Sequence, residues 1–144
     1  MGTLKGEYQY ALDEKGRVVI PPKVRHVLGD QVVATRGFET CIAVYSPPEW
    51  LRVEEGVRNL KAAADQQTVL RYLLASAVDL EVDRQGRIML PPYLREHAQV
   101  KRDVYVIGLG NRLEIWSRPL WRAYLNKAGK SAPKLVEDIP ELRI

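Results

Sequence analysis

The sequence LDEKGRVVIPPKVR, residues 12–25, has a second copy in VDRQGRIMLPPYLR, residues 82–95. Six of the fourteen positions are identical, and five more are apolar in both copies. The identical pairs are Asp13/Asp83, Gly16/Gly86, Arg17/Arg87, Pro21/Pro91, Pro22/Pro92 and Arg25/Arg95. A further match, YSPPEW at 45–50 with WSRPLW at 116–121, follows after a one-residue shift. The chain therefore contains an internal duplication whose period is about half its length.

Length and composition favour one globular domain built from both halves. A chain of 144 residues has the size of an ordinary single domain, and units of half that length bury little core alone. Hydrophobic residues make up 46% of the chain and charged residues 28%, which is typical of a folded protein rather than a disordered one. We therefore expect the two halves to share a core.

The sequence also predicts where the protein resides. No apolar run approaches the roughly 18 residues that a membrane span needs, and MGTLKGEYQY at the start has no signal-peptide core. We expect a cytoplasmic protein that does not bind a membrane. The single cysteine, Cys41, lies in the apolar run CIAVY, so we expect a buried thiol without a disulfide or a metal.

Each half predicts the same order of strands with one short helix. Alternating apolar and polar residues are typical of half-buried strands, and two successive prolines fit the first turn of a helix. In the first half these elements are strands at 7–12, 18–20, 32–35 and 41–45, and a helix at 23–28 closed by Gly29. In the second half they are strands at 80–82, 88–90, 104–107 and 113–116, and a helix at 92–98.

Further helices are predicted between and after the halves. SPPE at 46–49 has the spacing of a helix capping box, and apolar residues then recur at helical spacing as far as Leu60. A second helix is expected at about 66–77 and a third from near Pro119. The tail at 129–144 contains two prolines and no clear period, so we expect it to be ordered only against a partner.

The excess positive charge is concentrated in the two repeated blocks. The chain has a net charge of +4, and each block contributes +2 of it. The basic residues are Lys15, Arg17, Lys23 and Arg25 in the first block and Arg84, Arg87 and Arg95 in the second. Acidic residues in the blocks are Asp13, Glu14 and Asp83. A duplicated local surplus of this kind is typical of a protein that binds a polyanion such as DNA.

The turn in each block has the chemistry of a DNA-reading element. Gly16 and Gly86 can adopt the positive φ of a tight turn, which lets the backbone approach a phosphate or a base edge. Arg17 and Arg87 present planar guanidinium groups that can bind guanine or phosphate through two hydrogen bonds. The two turns are therefore the candidate DNA-binding site.

The aspartates Asp13 and Asp83 need a different explanation, because phosphate repels a carboxylate. One interpretation is that each orients the arginine four residues later across the turn. The alternative is that each D-x-x-x-R pair is a structural ion pair that rigidifies a hairpin. The spacing alone supports these two interpretations almost equally. The duplication of the basic surplus favours the interpretation in which the turns bind DNA.

These residues resemble the MraZ transcriptional regulators, which are encoded in bacterial cell-division and cell-wall gene clusters. That family carries two tandem AbrB-like units, each with a D-x-x-x-R motif, matched here by Asp13 with Arg17 and by Asp83 with Arg87. LDEKGR followed by IPPKVR, VDRQGR followed by LPPYLR, and PEW at 48–50 agree as well. The resemblance covers roughly residues 4–125.

The resemblance implies a fold, an assembly and a target. The fold is α+β with a mainly β core, in which two swapped-hairpin β-α-β units interleave as a pseudo-dimeric barrel within one chain. The units are expected at 4–50 and 78–121, with linking helices at 51–77 and a helix end and tail at 122–144. The family also implies a ring-like homo-oligomer, an octamer or similar, that binds direct repeats of double-stranded DNA in its own operon promoter, in association with the nucleoid and without a cofactor.

Other classes of protein remain as alternatives. An AbrB-fold antitoxin would bind a toxin partner and regulate its own gene through DNA. An enzyme is disfavoured because the sequence has no P-loop, nucleophile elbow, H-E-x-x-H motif or paired catalytic carboxylates. A structural oligomer with salt-bridged turns would not bind DNA in a salt-dependent way.

Three kinds of residue receive a structural interpretation instead of a functional one. His26 and His97 are not equivalent in the repeat, so we expect ordinary surface or partly buried side chains. Trp50 and Trp121 are equivalent and begin helices, which predicts core anchors. Met89 aligns with Val19 in an apolar run, which predicts a core position.

Overall fold

The computed structural model describes residues 3–144, which form an α+β fold. The elements of the first half are β1 (Leu4–Ala11), β2 (Arg17–Val19), α1 (Pro22–Leu28), β3 (Gln31–Arg36) and β4 (Ile42–Tyr45). The linking helices are α2 (Pro47–Arg58) and α3 (Ala63–Leu73), followed by a 3-10 turn at Leu74–Ser76. The second half repeats the first with β5 (Val78–Glu81), β6 (Arg87–Met89), α4 (Pro92–Ala98), β7 (Asp103–Gly110) and β8 (Leu113–Ser117). Helix α5 (Arg118–Glu137) and a 3-10 turn at Pro140–Leu142 complete the chain.

The strands of the two halves are interleaved in both sheets. The larger sheet has six strands in the order β1-β7-β8-β4-β3-β5, and all its pairings are antiparallel. Its outer strands pair across the repeat, since β1 joins β7 of the second half and β5 joins β3 of the first. The smaller sheet pairs β2 with β6. Neither half therefore completes its own sheet.

The expected closed barrel is not formed within residues 3–144. Strands β1 and β5 are the two edges of the larger sheet. The reason is that β2 and β6 pair with each other as a separate two-stranded sheet, and so do not join β1 to β5 by hydrogen bonds.

One apolar core joins the two halves, as the sequence predicts. It lies on one face of the larger sheet, beneath α1, α4 and the β2–β6 pair. Its most fully buried large side chains are Val18, Ile20, Leu28, Val32, Ile42, Val44, Ile88, Leu90, Leu94, Val104, Leu113 and Ile115. Both blocks contribute equivalent residues, so each half buries apolar side chains of the other.

Two smaller clusters cover the opposite face of the sheet. Helices α2 and α3 pack there through Trp50 and Leu73 against Val33 and Tyr45. Helix α5 packs through Trp121 against Trp116 and its neighbours. Trp50 and Trp121 are 7% and 8% exposed, which confirms them as core anchors.

Local signals in the sequence explain where the helices begin and end. The Ser46 side chain accepts a hydrogen bond from the Glu49 amide, and Ser117 accepts one from Leu120, so both long helices have a serine N-cap. Only half of the capping box forms, because the Glu49 carboxylate pairs with Arg52 instead. Helix α1 ends at Gly29, as predicted, and its amide donates to the Arg25 carbonyl.

The prediction for the tail was wrong. Helix α5 continues through Pro133 to Glu137. The proline removes one donor and crowds the carbonyl four residues earlier, but the Ala-, Leu- and Lys-rich sequence around it favours helix. The helical period was missed because two of its stripe positions are alanines: Leu125, Ala128, Ala132 and Leu135 recur at spacings of three and four.

The prediction that Met89 is core was also wrong, since 51% of it is exposed. Side chains alternate along β6, so that Ile88 and Leu90 face the core and Met89 faces outward. Cys41 is buried, as expected, and burial raises the pKa of its thiol above the usual range. No helix in the described part of the chain is both long and apolar enough to cross a membrane.

Candidate nucleic-acid interface

The first turn is built around the carboxylate of Asp13. One oxygen, Oδ1, accepts the backbone amides of Lys15 and Arg17, each at 2.9 Å. The other, Oδ2, accepts Nε of Arg17 at 2.6 Å. The Asp13 carbonyl also accepts the amide of Gly16 at 3.0 Å. Asp13 therefore shapes the turn and orients the arginine at the same time.

The second turn repeats this arrangement with equivalent residues. Oδ1 of Asp83 accepts the amides of Gln85 and Arg87, each at 2.9 Å. Oδ2 accepts Nε of Arg87 at 3.1 Å. Gly16 and Gly86 both have a φ of +79°, which confirms the positive φ expected for each glycine. The D-x-x-x-R motif is thus one structural unit that occurs twice.

Both aspartates are held in the ionised form. The backbone hydrogen bond from Arg17 is the largest cause that lowers the pKa of Asp13 below its usual range, and the side chain of Arg17 adds to it. Arg87 lowers the pKa of Asp83 in the same way. Each turn therefore keeps a negative charge that fixes its arginine through a charge-assisted hydrogen bond.

Pairing between β2 and β6 brings the two turns together. Arg17 lies opposite Met89, and Val19 lies opposite Arg87. The amide of Ile20 donates to the Gly86 carbonyl at 2.7 Å, which joins the end of β2 to the opposite turn. The two arginines consequently project from the same outward face of the small sheet.

The two arginines also meet at one oxygen atom. Nη1 of Arg87 lies 3.5 Å from Oδ2 of Asp13, the atom that accepts Nε of Arg17. Between a quarter and a third of each of these three side chains is exposed. Within residues 3–144, no hydrogen bond engages the two terminal amino groups of Arg17. The site can therefore offer guanidinium donors to a ligand while Asp13 holds both side chains in place.

Arg25 and Arg95 lie beneath the turns, each against the glycine of the opposite half. Nη2 of Arg25 donates to the Asp83 carbonyl at 3.1 Å, and a Cβ atom on Gly86 would lie 3.0 Å from Nη1 of Arg25. Nε of Arg95 donates to the Leu90 carbonyl at 3.1 Å, and a Cβ atom on Gly16 would lie 2.9 Å from its guanidinium carbon. The space beside each glycine is thus taken by an arginine.

The remaining predicted residues lie around this centre. Lys15 and Arg84 are exposed on the two turns, and Lys23 is exposed on α1. Sequence reasoning selected charged side chains and so missed two uncharged residues of the same surface. Gln85 is exposed at the position equivalent to Lys15, and Met89 faces outward opposite Arg17. The alignment of the two blocks already placed Gln85 opposite Lys15, and that equivalence was the available signal.

Comparison with known proteins matches both halves of the chain. A family model with the description "MraZ protein, putative antitoxin-like" matches residues 3–72 and again residues 73–137. The chain is 43% identical over 142 residues to the transcriptional regulator MraZ of Thermoanaerobacter pseudethanolicus. The aligned residues cover 98% of this chain and 99% of that protein. It is 44% identical over 135 residues to the transcriptional regulator MraZ of Heliobacterium modesticaldum, and this alignment covers 93% of this chain and 94% of that protein. The similarity thus extends over nearly the whole chain.

Proposed function

We propose that this chain, which belongs to the MraZ family, is a transcriptional regulator that binds double-stranded DNA. Its target is a set of short direct repeats in the promoter of its own cell-division and cell-wall operon. The observation that carries this proposal is the pair of turns that presents Arg17 and Arg87 side by side on one surface. The names of its relatives, which are transcriptional regulators, support the same conclusion.

Each residue of the surface has a role that follows from its chemistry. Arg17 and Arg87 bind a guanine edge or a phosphate through two hydrogen bonds, and Asp13 and Asp83 orient them. Lys15 and Arg84 contact phosphates from the exposed turns, and Gln85 has the amide that pairs with an adenine edge. Gly16 and Gly86 give the turns their shape. Lys23 completes the basic surface from α1, and Arg25 and Arg95 lie beneath the two turns.

The proposed pair of AbrB-like units and the proposed ring of subunits fit a repeated DNA site. Residues 4–50 and 78–121 act as two swapped-hairpin AbrB-like units that share one DNA-binding surface. Several chains associate into a ring-like homo-oligomer, an octamer or similar. Neighbouring subunits in a ring are related head to tail, and so are neighbouring copies of a direct repeat. Such a protein acts in the cytoplasm, at the nucleoid.

Footprinting on the DNA upstream of the protein's own gene tests this proposal. We expect protection at short direct repeats with a regular spacing, and loss of protection when the repeats are scrambled at constant base composition. Equal protection of the natural and the scrambled DNA, or protection of neither, would contradict a sequence-specific regulator.

A second candidate function is an antitoxin-like role, in which the protein binds a toxin and regulates its own gene. The description of the matching family model favours it. So does the exposed apolar side of α5, where Leu125 and Leu135 are 44% and 60% exposed. Expression of the adjacent gene alone should arrest growth if this reading is correct, and co-expression of this chain should relieve the arrest.

A further inference from the structure

Arg25 and Arg95 are repeat-equivalent residues whose contacts differ from those of the other basic side chains in the site. Both are half-buried, whereas Lys15, Lys23 and Arg84 are exposed. Each begins on the helix of one half and ends against the turn of the other half. A side chain that is packed in this way has little freedom to reach a DNA phosphate.

The contact between Arg25 and the second turn is specific to an arginine. Its guanidinium lies over Gly86, where a Cβ atom would be 3.0 Å from Nη1 and 3.3 Å from the central carbon. Nη2 donates to the carbonyl of Asp83, the first residue of the turn. A lysine has no planar group, so it could not pack flat on the glycine and donate this hydrogen bond at the same time.

Arg95 packs on the glycine of the first turn in the same way, but it donates its hydrogen bond to its own half instead of to the turn. Its guanidinium lies over Gly16, where a Cβ atom would be 2.9 Å from both Nε and the central carbon. Nε donates to Leu90, whose own amide donates to the Gly16 carbonyl at 3.0 Å. Arg95 and Gly16 are thus linked through the end of β6 as well as by direct packing.

We propose that Arg25 and Arg95 are positioning residues, and that each holds the DNA-reading turn of the opposite half by packing its guanidinium on that turn's glycine. Arg25 sets the position of Arg87, and Arg95 sets the position of Arg17. The inference rests on the proposed DNA-binding function and deepens it. It also gives the two glycines a second role, because a Cβ atom at Gly86 would lie 3.0 Å from Arg25 and one at Gly16 would lie 2.9 Å from Arg95, so that either would push its arginine aside.

Replacement of each arginine by lysine tests the proposal, because lysine keeps the charge and loses the packing. Arg25→Lys and Arg95→Lys should weaken binding to the cognate repeats about as much as the alanine variants do, by roughly ten-fold, the effect of one lost contact. A direct phosphate contact would largely survive the change to lysine. Lysine variants with wild-type affinity would therefore overturn the proposal.

Double variants then show which turn each arginine acts on. Arg25→Ala should add little to the loss caused by Arg87→Ala, because both changes remove the same contact, while its effect should multiply with that of Lys15→Ala on the other turn. Arg95→Ala should likewise be redundant with Arg17→Ala and multiply with Arg84→Ala. Losses that multiply in all four pairs would overturn the proposal.

Amide hydrogen exchange without DNA separates this proposal from the proposed function. Arg25→Lys should speed exchange at Gly86 and Arg87 and spare Gly16 and Arg17, and Arg95→Lys should do the reverse. If the wild-type protein failed to bind DNA, the proposed function would fail, and this pattern would still decide whether the arginines hold the turns. Equal exchange at both turns in both variants would contradict the positioning role.

Discussion

Arg87 in the second half lies 3.5 Å from Asp13 in the first, measured from Nη1 to Oδ2. The same oxygen accepts Nε of Arg17 at 2.6 Å. Within residues 3–144, no equivalent ion pair joins Arg17 to Asp83, so the contact breaks the twofold relationship between the repeats. Asp13 consequently holds two arginines, whereas Asp83 holds one.

This asymmetry predicts that the two aspartates are not interchangeable. Asp13→Asn should reduce the preference for the cognate repeats over random DNA more than Asp83→Asn does, because it releases both arginines. Binding to random DNA should be retained or strengthened in both variants, since each loses a charge that repels phosphate. Paired affinity measurements on cognate and scrambled DNA check this, and equal loss of preference in the two variants would contradict it.

The lowered pKa of Asp13 and Asp83 predicts how stability depends on pH. A carboxyl group with a lowered folded-state pKa contributes stability above its unfolded pKa of about 3.9. That contribution is lost as the pH falls through the lower folded-state value. Thermal unfolding of the wild type and an Asp13→Asn, Asp83→Asn variant should therefore differ most near pH 7 and converge below about pH 4. A difference independent of pH would indicate that the charges contribute nothing.

The exposed lysine of the first turn predicts a salt-dependent contribution to binding. Affinity should fall steeply with salt, and Lys15→Gln should reduce the slope of log affinity against log salt by about one. Its effect should be similar on cognate and random DNA, because a phosphate contact carries no sequence information. Lys61→Gln, which removes an exposed charge between α2 and α3, should leave the slope unchanged.

Assembly into an oligomer should depend on apolar side chains that are exposed on the single chain, and not on those buried within it. We expect a homo-oligomer larger than a dimer, measured by light scattering. Leu73 is buried within the chain against Trp50 and its neighbours, so Leu73→Ala should destabilise the fold by about 2–5 kcal/mol. The exposed Leu135 is the better candidate for contacts between subunits. Leu135→Ser should lower the measured mass while Lys134→Ser does not, and a monomeric wild type would contradict the prediction.

Much of the fold could be predicted because the repeat carries local signals twice. Alternation marked the first strand, and the proline pair and Gly29 marked α1. The capping-box spacing marked α2, and its repeat in the second half marked α5. The six identical positions in the two blocks correspond to one unit, namely the turn, the start of the helix and the arginine beneath the opposite turn. Local sequence patterns were sufficient wherever the determining interactions were local.

The features that could not be predicted depend on contacts between the halves. The open edges at β1 and β5 follow from the pairing of β2 with β6, which no single-strand pattern specifies. Met89 is exposed because its neighbours take the core positions. The contacts of Arg25 with Asp83 and of Arg87 with Asp13 join residues far apart in sequence. The sequence could identify these residues as charged but not as partners.

The affinity of an Arg17→Ala, Arg87→Ala double variant for the cognate repeats shows whether the two turns bind DNA through their arginines. If the two arginines read DNA, the variant should stay folded with only a small fall in melting temperature, because the backbone amides at both positions still bind the carboxylates. Its affinity should fall by about 1–3 kcal/mol per lost contact, compounded over the subunits bound. If the pairs with Asp13 and Asp83 are purely structural, the melting temperature should fall and affinity should decrease only with the folded fraction. Unchanged affinity in a stably folded double variant would contradict the account.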